Sequence, residues 1–188
     1  MAVNTRRPDA GAHRSARKEI DDIDLQILEL LVQDPRRSQR SLAKDIGLSP
    51  PAIADRIAQL EEAGVIEGYT TKINLAKLGY SMTVFAEISC ELGPEHREQS
   101  RQLSEIDEVE KVILTTGAHD LLIKINVRDR EHLNEVLFEK LIEGQTKIYQ
   151  SNTRVSLGEF ERPDYHLGVL RQIRESRKDP SNERDLPD

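Results

Sequence analysis

Apolar positions along the chain change their period once, and the change divides it into two blocks. Between residues 20 and 68 they recur at helical spacing. Between 81 and 162 they mostly alternate, with two helical interruptions. In the first block Ile23, Ile27, Leu30 and Leu31 form one face of a helix that Asp21 or Asp22 caps and Asp34-Pro35 stops. Ser38 opens a second, short helix carrying Leu42, Ala43 and Ile46, and Gly47 closes it. Ser49-Pro50 opens a third, with Ile53, Ile57 and Leu60 on its buried side, ending at Ala63-Gly64. Residues 65–72 then read as a β-hairpin or wing.

The second block begins with a clean alternation, Met82, Val84, Ala86, Ile88 and Cys90, which makes Cys90 a small buried apolar residue. After Gly93-Pro94 come a helix over 95–105, strands over 109–116 and 121–127, a helix over 129–141 and a strand over 147–159. The order β-α-β-β-α-β is that of a ferredoxin-like unit, with two helices on one face of four strands. The other face is expected to hold several apolar side chains, an exposed patch that predicts association of subunits through their sheets. The predicted class is α+β. Its domains are a disordered basic tail at 1–18, a winged helix-turn-helix at 19–68, a linker at 69–80, the ferredoxin-like domain at 81–162 and a polar C-terminal tail at 163–188. Within that last tail Leu167, Leu170 and Ile173 have the spacing of a short helix, and the final ten residues are expected to be disordered.

Two short helices joined at Gly47-Leu48-Ser49 and packed on a first helix have helix-turn-helix spacing. The third helix then lies in the major groove of double-stranded DNA, led by its capping Ser49, with Pro51, Ala52, Asp55, Arg56 and Gln59 outward. Arg56 and Gln59 suit guanine and adenine edges, and Asp55 suits a cytosine amino group or an internal base. Arg37, Arg40, Lys44 and Lys72 are placed for phosphates. A three-helix bundle serving only dimerisation fits the same pattern.

Composition at first opposes DNA. The 188 residues carry 27 basic and 34 acidic side chains, net −7. The charge is segregated, however. Arg36, Arg37, Arg40, Lys44 and Arg56 outweigh Asp45 and Asp55 over 35–60, and residues 1–18 are also basic, through Arg6, Arg7, Arg14, Arg17 and Lys18. Residues 19–34 hold Glu19, Asp21, Asp22, Asp24, Glu29 and Asp34 with no base at all. Aromatics at 4% and the absence of Trp argue against base-stacking platforms. A single Cys excludes an internal disulfide and a Cys-rich zinc site. No apolar run approaches the roughly 20 residues of a membrane span, so a soluble, cytoplasmic protein without membrane partners is expected. The five His are scattered, and neither a phosphate loop nor a nucleophile motif is present, so no metal, cofactor or catalytic residue is predicted. An amino-acid-metabolising enzyme with a regulatory ferredoxin-like domain is the alternative, and an enzyme-free, heme-handling relative of the same architecture is another.

The turn Gly117-Ala118-His119-Asp120 is the best ligand site. Backbone N–H groups at Gly117 suit a carboxylate and Asp120 suits an ammonium, together an α-amino acid. A plain hairpin turn, with Asp120 bonding its own backbone, is the competing reading.

Taken in order, Asp21-x-x-Asp24-x-x-Ile27-Leu28, Leu42-Ala43, Ile46-Gly47-Leu48-Ser49-Pro50 and Arg56-Ile57-x-x-Leu60-Glu61-x-x-Gly64-Val65-Ile66-x-Gly68-Tyr69 resemble the Lrp/AsnC family of leucine- and asparagine-responsive transcription regulators. The resemblance runs from about Ile20 to Glu161. It implies a sequence-specific DNA-binding regulator, a homodimer assembling to tetramers, octamers or larger, and no enzyme. It further implies an amino-acid effector at Thr116, Gly117, His119 and Asp120, facing Ser151 and Thr153 of a neighbouring subunit. Many relatives carry an aromatic where this chain has His119, so the effector is expected to differ from leucine or asparagine. The tails lie outside the resemblance, and the basic one is either a supplement to DNA binding or a solvated segment.

Overall fold

The first helix, α1 (Asp22–Gln33), starts at a reciprocal cap. The Asp24 backbone N–H donates to Asp21 Oδ1 at 2.8 Å, and the Asp21 N–H donates back to Asp24 Oδ2 at 3.3 Å. In the computed structural model, which describes residues 19–90, 96–142 and 148–178, α2 (Gln39–Ile46) and α3 (Pro50–Glu62) follow. Ser38 and Ser49 cap them as expected, accepting from the N–H groups of Ser41 and Ala52. Gly47 sits between them at φ +84°, a left-handed conformation that a side chain would strain. Ile27, Leu31, Leu42, Ile53 and Leu60 form the core of the three helices, with Ile57 and Ile66 at its edge.

The expected hairpin over 65–72 is not formed. The N–H groups of Val65 and Ile66 both donate back to Leu60 O, at 2.9 and 3.1 Å, so the chain after Gly64 is spent capping α3 rather than pairing as a strand. The expected linker holds one turn of 3₁₀ helix, Leu75–Leu78, started by Asn74.

The second block folds as β1 (Met82–Cys90), α4 (His96–Leu103), β2 (Val109–Leu114), β3 (Leu121–Val127), α5 (Arg130–Glu135) and β4 (Ile148–Val155). The fifth helix is shorter than expected, because from Val136 to Ile142 it continues in wider π-type turns. The last strand is also shorter, ending at Val155 rather than 159, and residue 147 lies outside the described residues. The sheet order is β2-β3-β1-β4, all antiparallel, which is the ferredoxin-like arrangement. Its covered face carries Val84, Ala86, Ile88, Leu121, Ile123, Ile125 and Val127 against Leu103, Leu133, Val136 and Leu141.

The opposite face is not the apolar patch that alternation suggested. Phe85, Leu122 and Ile113 are its apolar members, and the rest is a lattice of charge and amide. Thr83 donates to Asn126, which donates to Glu110; Lys124 joins Glu110 to Glu159; and Asn152 and Arg154 converge on Glu87. The reason lies in the sequence between the apolar positions, where charged and amide residues outnumber the apolar ones.

Residues from 163 are not a simple tail either. Tyr165–Ser176 forms helix α6, and Leu170 packs against the core of α1–α3. The chain divides into one unit of the residues up to Thr71 together with those from Arg162, and a second of Lys72–Glu161. The expected disordered segments, 1–18 and the last ten residues, lie outside the described residues.

Truncating Ile125, fully buried at the centre of the sheet, to Ala is expected to cost the second unit about 2–4 kcal/mol in urea unfolding. Leu157→Ser, at a fully exposed position, is expected to change it by less than about 0.5 kcal/mol.

Candidate nucleic-acid interface and effector turn

In α3, Pro51, Asp55 and Gln59 are exposed at four-residue intervals and so form one stripe. Ala52 is half-buried beside them, and Ser49 closes the N-terminal end of the stripe with its capping bond. On α2, Arg40 and Lys44 are exposed, while Arg37 makes an ion pair with Asp45. The cationic edge of α2 therefore stands next to the outward stripe of α3 in sequence and in the same unit. No helix among the described residues is long and apolar enough to cross a membrane.

Two of the expected DNA contacts are corrected. Arg56 is not on the outward stripe. Its Nη1 donates to Asp21 Oδ2 at 2.7 Å and to Asp24 Oδ1 at 2.8 Å, tying the middle of α3 to the start of α1. The Asp24 side chain is 1% exposed, so Arg56 neutralises a charge buried in the protein. Burial would raise the Asp21 pKa, but the Asp24 N–H and the Arg56 guanidinium outweigh it and hold the carboxyl below its usual range. Both carboxylates in turn raise the Arg56 pKa. Lys72 falls in the second unit and pairs with Glu161.

The effector turn is built by its own hydrogen bonds. Thr115 N–H donates to Asp120 O at 2.9 Å and Thr115 Oγ1 donates to His119 O at 2.7 Å, while Gly117 adopts φ +127° and Thr116 is exposed. Asp120 Oδ2 accepts from the Cys90 N–H at 3.0 Å, so one carboxylate oxygen already serves the sheet. Burial, then the Asp120 charge, push the Cys90 thiol up. His119 lies against β1, with Nδ1 3.1 Å from Ser89 Oγ and Nε2 3.8 Å from Glu87 Oε2. Ser151 and Thr153 sit on β4 opposite Ile88 and Ala86. Since β1 runs between β3 and β4, they stand about two strand spacings of about 4.8 Å from the turn, and one chain does not bring the two sets together.

Sequence reasoning missed Glu87, on which His119, Asn152 and Arg154 converge. The available signal was a carboxylate in the middle of the central strand. It also missed Glu108, buried where β2 begins. Burial alone would raise its pKa, but hydrogen bonds from Lys140 at 2.7 Å and His132 at 3.1 Å hold it lowered. Among the described residues no group of three or more His, Cys, Asp or Glu could hold a metal ion.

Residues 20–67 match the family described as winged helix-turn-helix DNA-binding, and residues 83–164 match the Lrp/AsnC ligand binding domain. The chain belongs to the Lrp/AsnC family. It is 37% identical over 149 residues to an uncharacterised HTH-type transcriptional regulator of Pyrococcus furiosus, covering 79% of this chain and 98% of that one. It is 38% identical over 132 residues to the HTH-type transcriptional regulator LrpA of Pyrococcus horikoshii, covering 69% and 92%. The solved structure of E. coli AsnC superposes with a TM-score of 0.68 at 30% identity, covering 77% of this chain and 97% of that one. These matches place the Lrp/AsnC chain among transcriptional regulators with a ligand-binding domain and answer the enzyme alternative. Helix α6 begins just after the last matched residue, 164.

In this Lrp/AsnC chain Arg56→Ala is expected to lower stability by about 1–3 kcal/mol in thermal or urea unfolding, because the buried Asp24 carboxylate loses a donor. A side chain that only read DNA would leave unfolding unchanged. The Asp21 contribution is complete above its unfolded pKa of 3.8 and is lost as pH falls through the lower folded value. Between about pH 5 and pH 3 the wild type is therefore expected to lose more stability than Arg56→Met, in which the Arg56 share of that shift is absent and only the backbone N–H share remains.

Proposed function

We propose that the chain is a sequence-specific DNA-binding regulator whose affinity for its operator is set by an amino acid or related metabolite bound between subunits. The observation that carries the reading is the presence, in one chain, of the Lrp/AsnC ligand binding domain match and a helix-turn-helix with its basic side chains concentrated on α2. Residues 19–68 are the DNA-reading segment and 81–162 the effector and assembly segment. Ser49, Pro51, Ala52, Asp55 and Gln59 approach the bases, with Gln59 suited to adenine, and Arg37, Arg40 and Lys44 approach phosphates. Homodimers present two copies of α3 to half-sites about one helical turn apart and assemble further to tetramers, octamers or larger. The effector occupies Thr116, Gly117, His119 and Asp120 of one subunit against Ser151 and Thr153 of the next, with the ammonium toward Asp120. The exposed Gly117 backbone and the Asp120 carboxylate support a small zwitterion, and the bond from the Cys90 N–H to Asp120 ties the turn to the strand end. The sheet face through which subunits meet is polar, so its pairing depends on matching the Glu87, Arg154 and Lys124 charges rather than on area alone.

A gel shift on DNA selected by the protein from a random pool, run with each of the twenty amino acids, tests the reading directly. At least one amino acid is expected to change the apparent Kd, and DNA binding without any response would confine the chain to constitutive regulation. Lys44→Ala is expected to weaken binding to all sequences alike and to flatten the salt dependence by about one phosphate contact. Gln59→Ala is expected to relax preference at one base position by about 1–3 kcal/mol.

A further inference from the structure

The acidic run of residues 19–34 is met from two sides. Arg56 takes its beginning, and α6 takes its outer face. Leu170, Arg174 and Arg177 recur at i, i+4 and i+7 and so share one side of α6. Leu170 packs on the helical core, Arg174 Nη1 donates to Glu29 Oε2 at 3.3 Å, and Arg177 Nη1 donates to the Ile20 carbonyl at 2.5 Å. The attachment is not fully satisfied. Glu29 Oε1 and Arg174 Nε are both buried without a hydrogen-bond partner among the described residues, and Val169 and Ile173 remain partly exposed. A contact of one apolar anchor and an imperfect ion pair can be held and released.

Topology gives that contact a consequence. The chain leaves the first unit after Thr71 and re-enters it at Arg162. The residues at the two crossings, Lys72 and Glu161, pair with each other, so the outgoing and returning segments run side by side. With α6 docked the helix-turn-helix is connected to the second unit twice; with α6 released it is connected once.

We propose that α6 is a strap that restricts the movement of the DNA-reading unit, and so sets how much variation in half-site spacing a dimer accepts. This rests on the DNA-binding reading above. The test compares wild type with Glu29→Arg, Arg174→Glu, the double exchange of both, and Leu170→Asp, all in the full chain. Amide hydrogen exchange over α1 and α6 reports release. A dye at Glu62→Cys in a Cys90→Ser background reports motion of the reading unit by anisotropy decay, without DNA. The three single variants are expected to raise the fast component about twofold and the double exchange to restore it, since it re-forms the ion pair in reverse. On selected DNA, inserting about five base pairs, half a helical turn, between half-sites is expected to weaken wild-type binding at least about tenfold and the single variants no more than about threefold. Release of α6 with unchanged dye motion, or with unchanged spacing tolerance, overturns the strap. If wild type selects no DNA, the nucleic-acid reading falls while the dye measurement still decides whether α6 restrains the unit.

Discussion

The capping carboxylates of α1 meet α3 at Arg56. Arg56 reaches across to both carboxylates of the α1 capping box, and one of them, Asp24, is shut off from solvent. A buried carboxylate needs donors, and the Arg56 guanidinium gives Asp24 a charged one. The same bond fixes α3 about its own axis, because it engages that helix at mid-length on the flank of the exposed stripe of Pro51, Asp55 and Gln59. An electrostatic necessity in the interior thereby sets which side chains face outward.

The second unit solves a different problem. Its central strand β1 is flanked on both sides, and every buried position on it is aliphatic, as on β3 apart from Asn126. The uncovered face is held by cross-strand polar links rather than by an apolar layer, so it remains ordered without a covering element. The turn between β2 and β3 is attached to that sheet by bonds to Ile88, Ser89 and Cys90. A molecule bound at the turn would therefore act on the central strand directly.

Much of this was legible in the sequence. The helix starts at Asp21, Ser38 and Ser49, the stop at Gly47 and the strand alternation from Met82 each rest on local chemistry, and the fold follows from their order. What was not legible depended on partners distant along the chain. The apolar spacing of Ile53, Ile57 and Leu60 leaves Arg56 on the polar side with Asp55 and Gln59, and only its approach to Asp21, 35 residues earlier, turns it toward α1. The hairpin after Gly64 was a competition between strand pairing and capping of α3, which periodicity does not decide. Alternation at 82–90 told which face is buried but not what the other face contains in sum, since that depends on β3 and β4 being brought alongside.

The attachment of α6 bears on how the molecule comes into being. The bond from Arg177 to Ile20 spans 157 residues and that from Arg174 to Glu29 spans 145, so the first unit closes only after nearly the whole chain has been made. Contacts of such separation form late, since the intervening loop must be ordered before they contribute. During synthesis α1–α3 emerge first, with one flank of α1 waiting for a helix not yet translated. The reading unit is consequently discontinuous in sequence, and a cut after the third helix, however natural it looks from the matched segment alone, would separate α1 from its last neighbour.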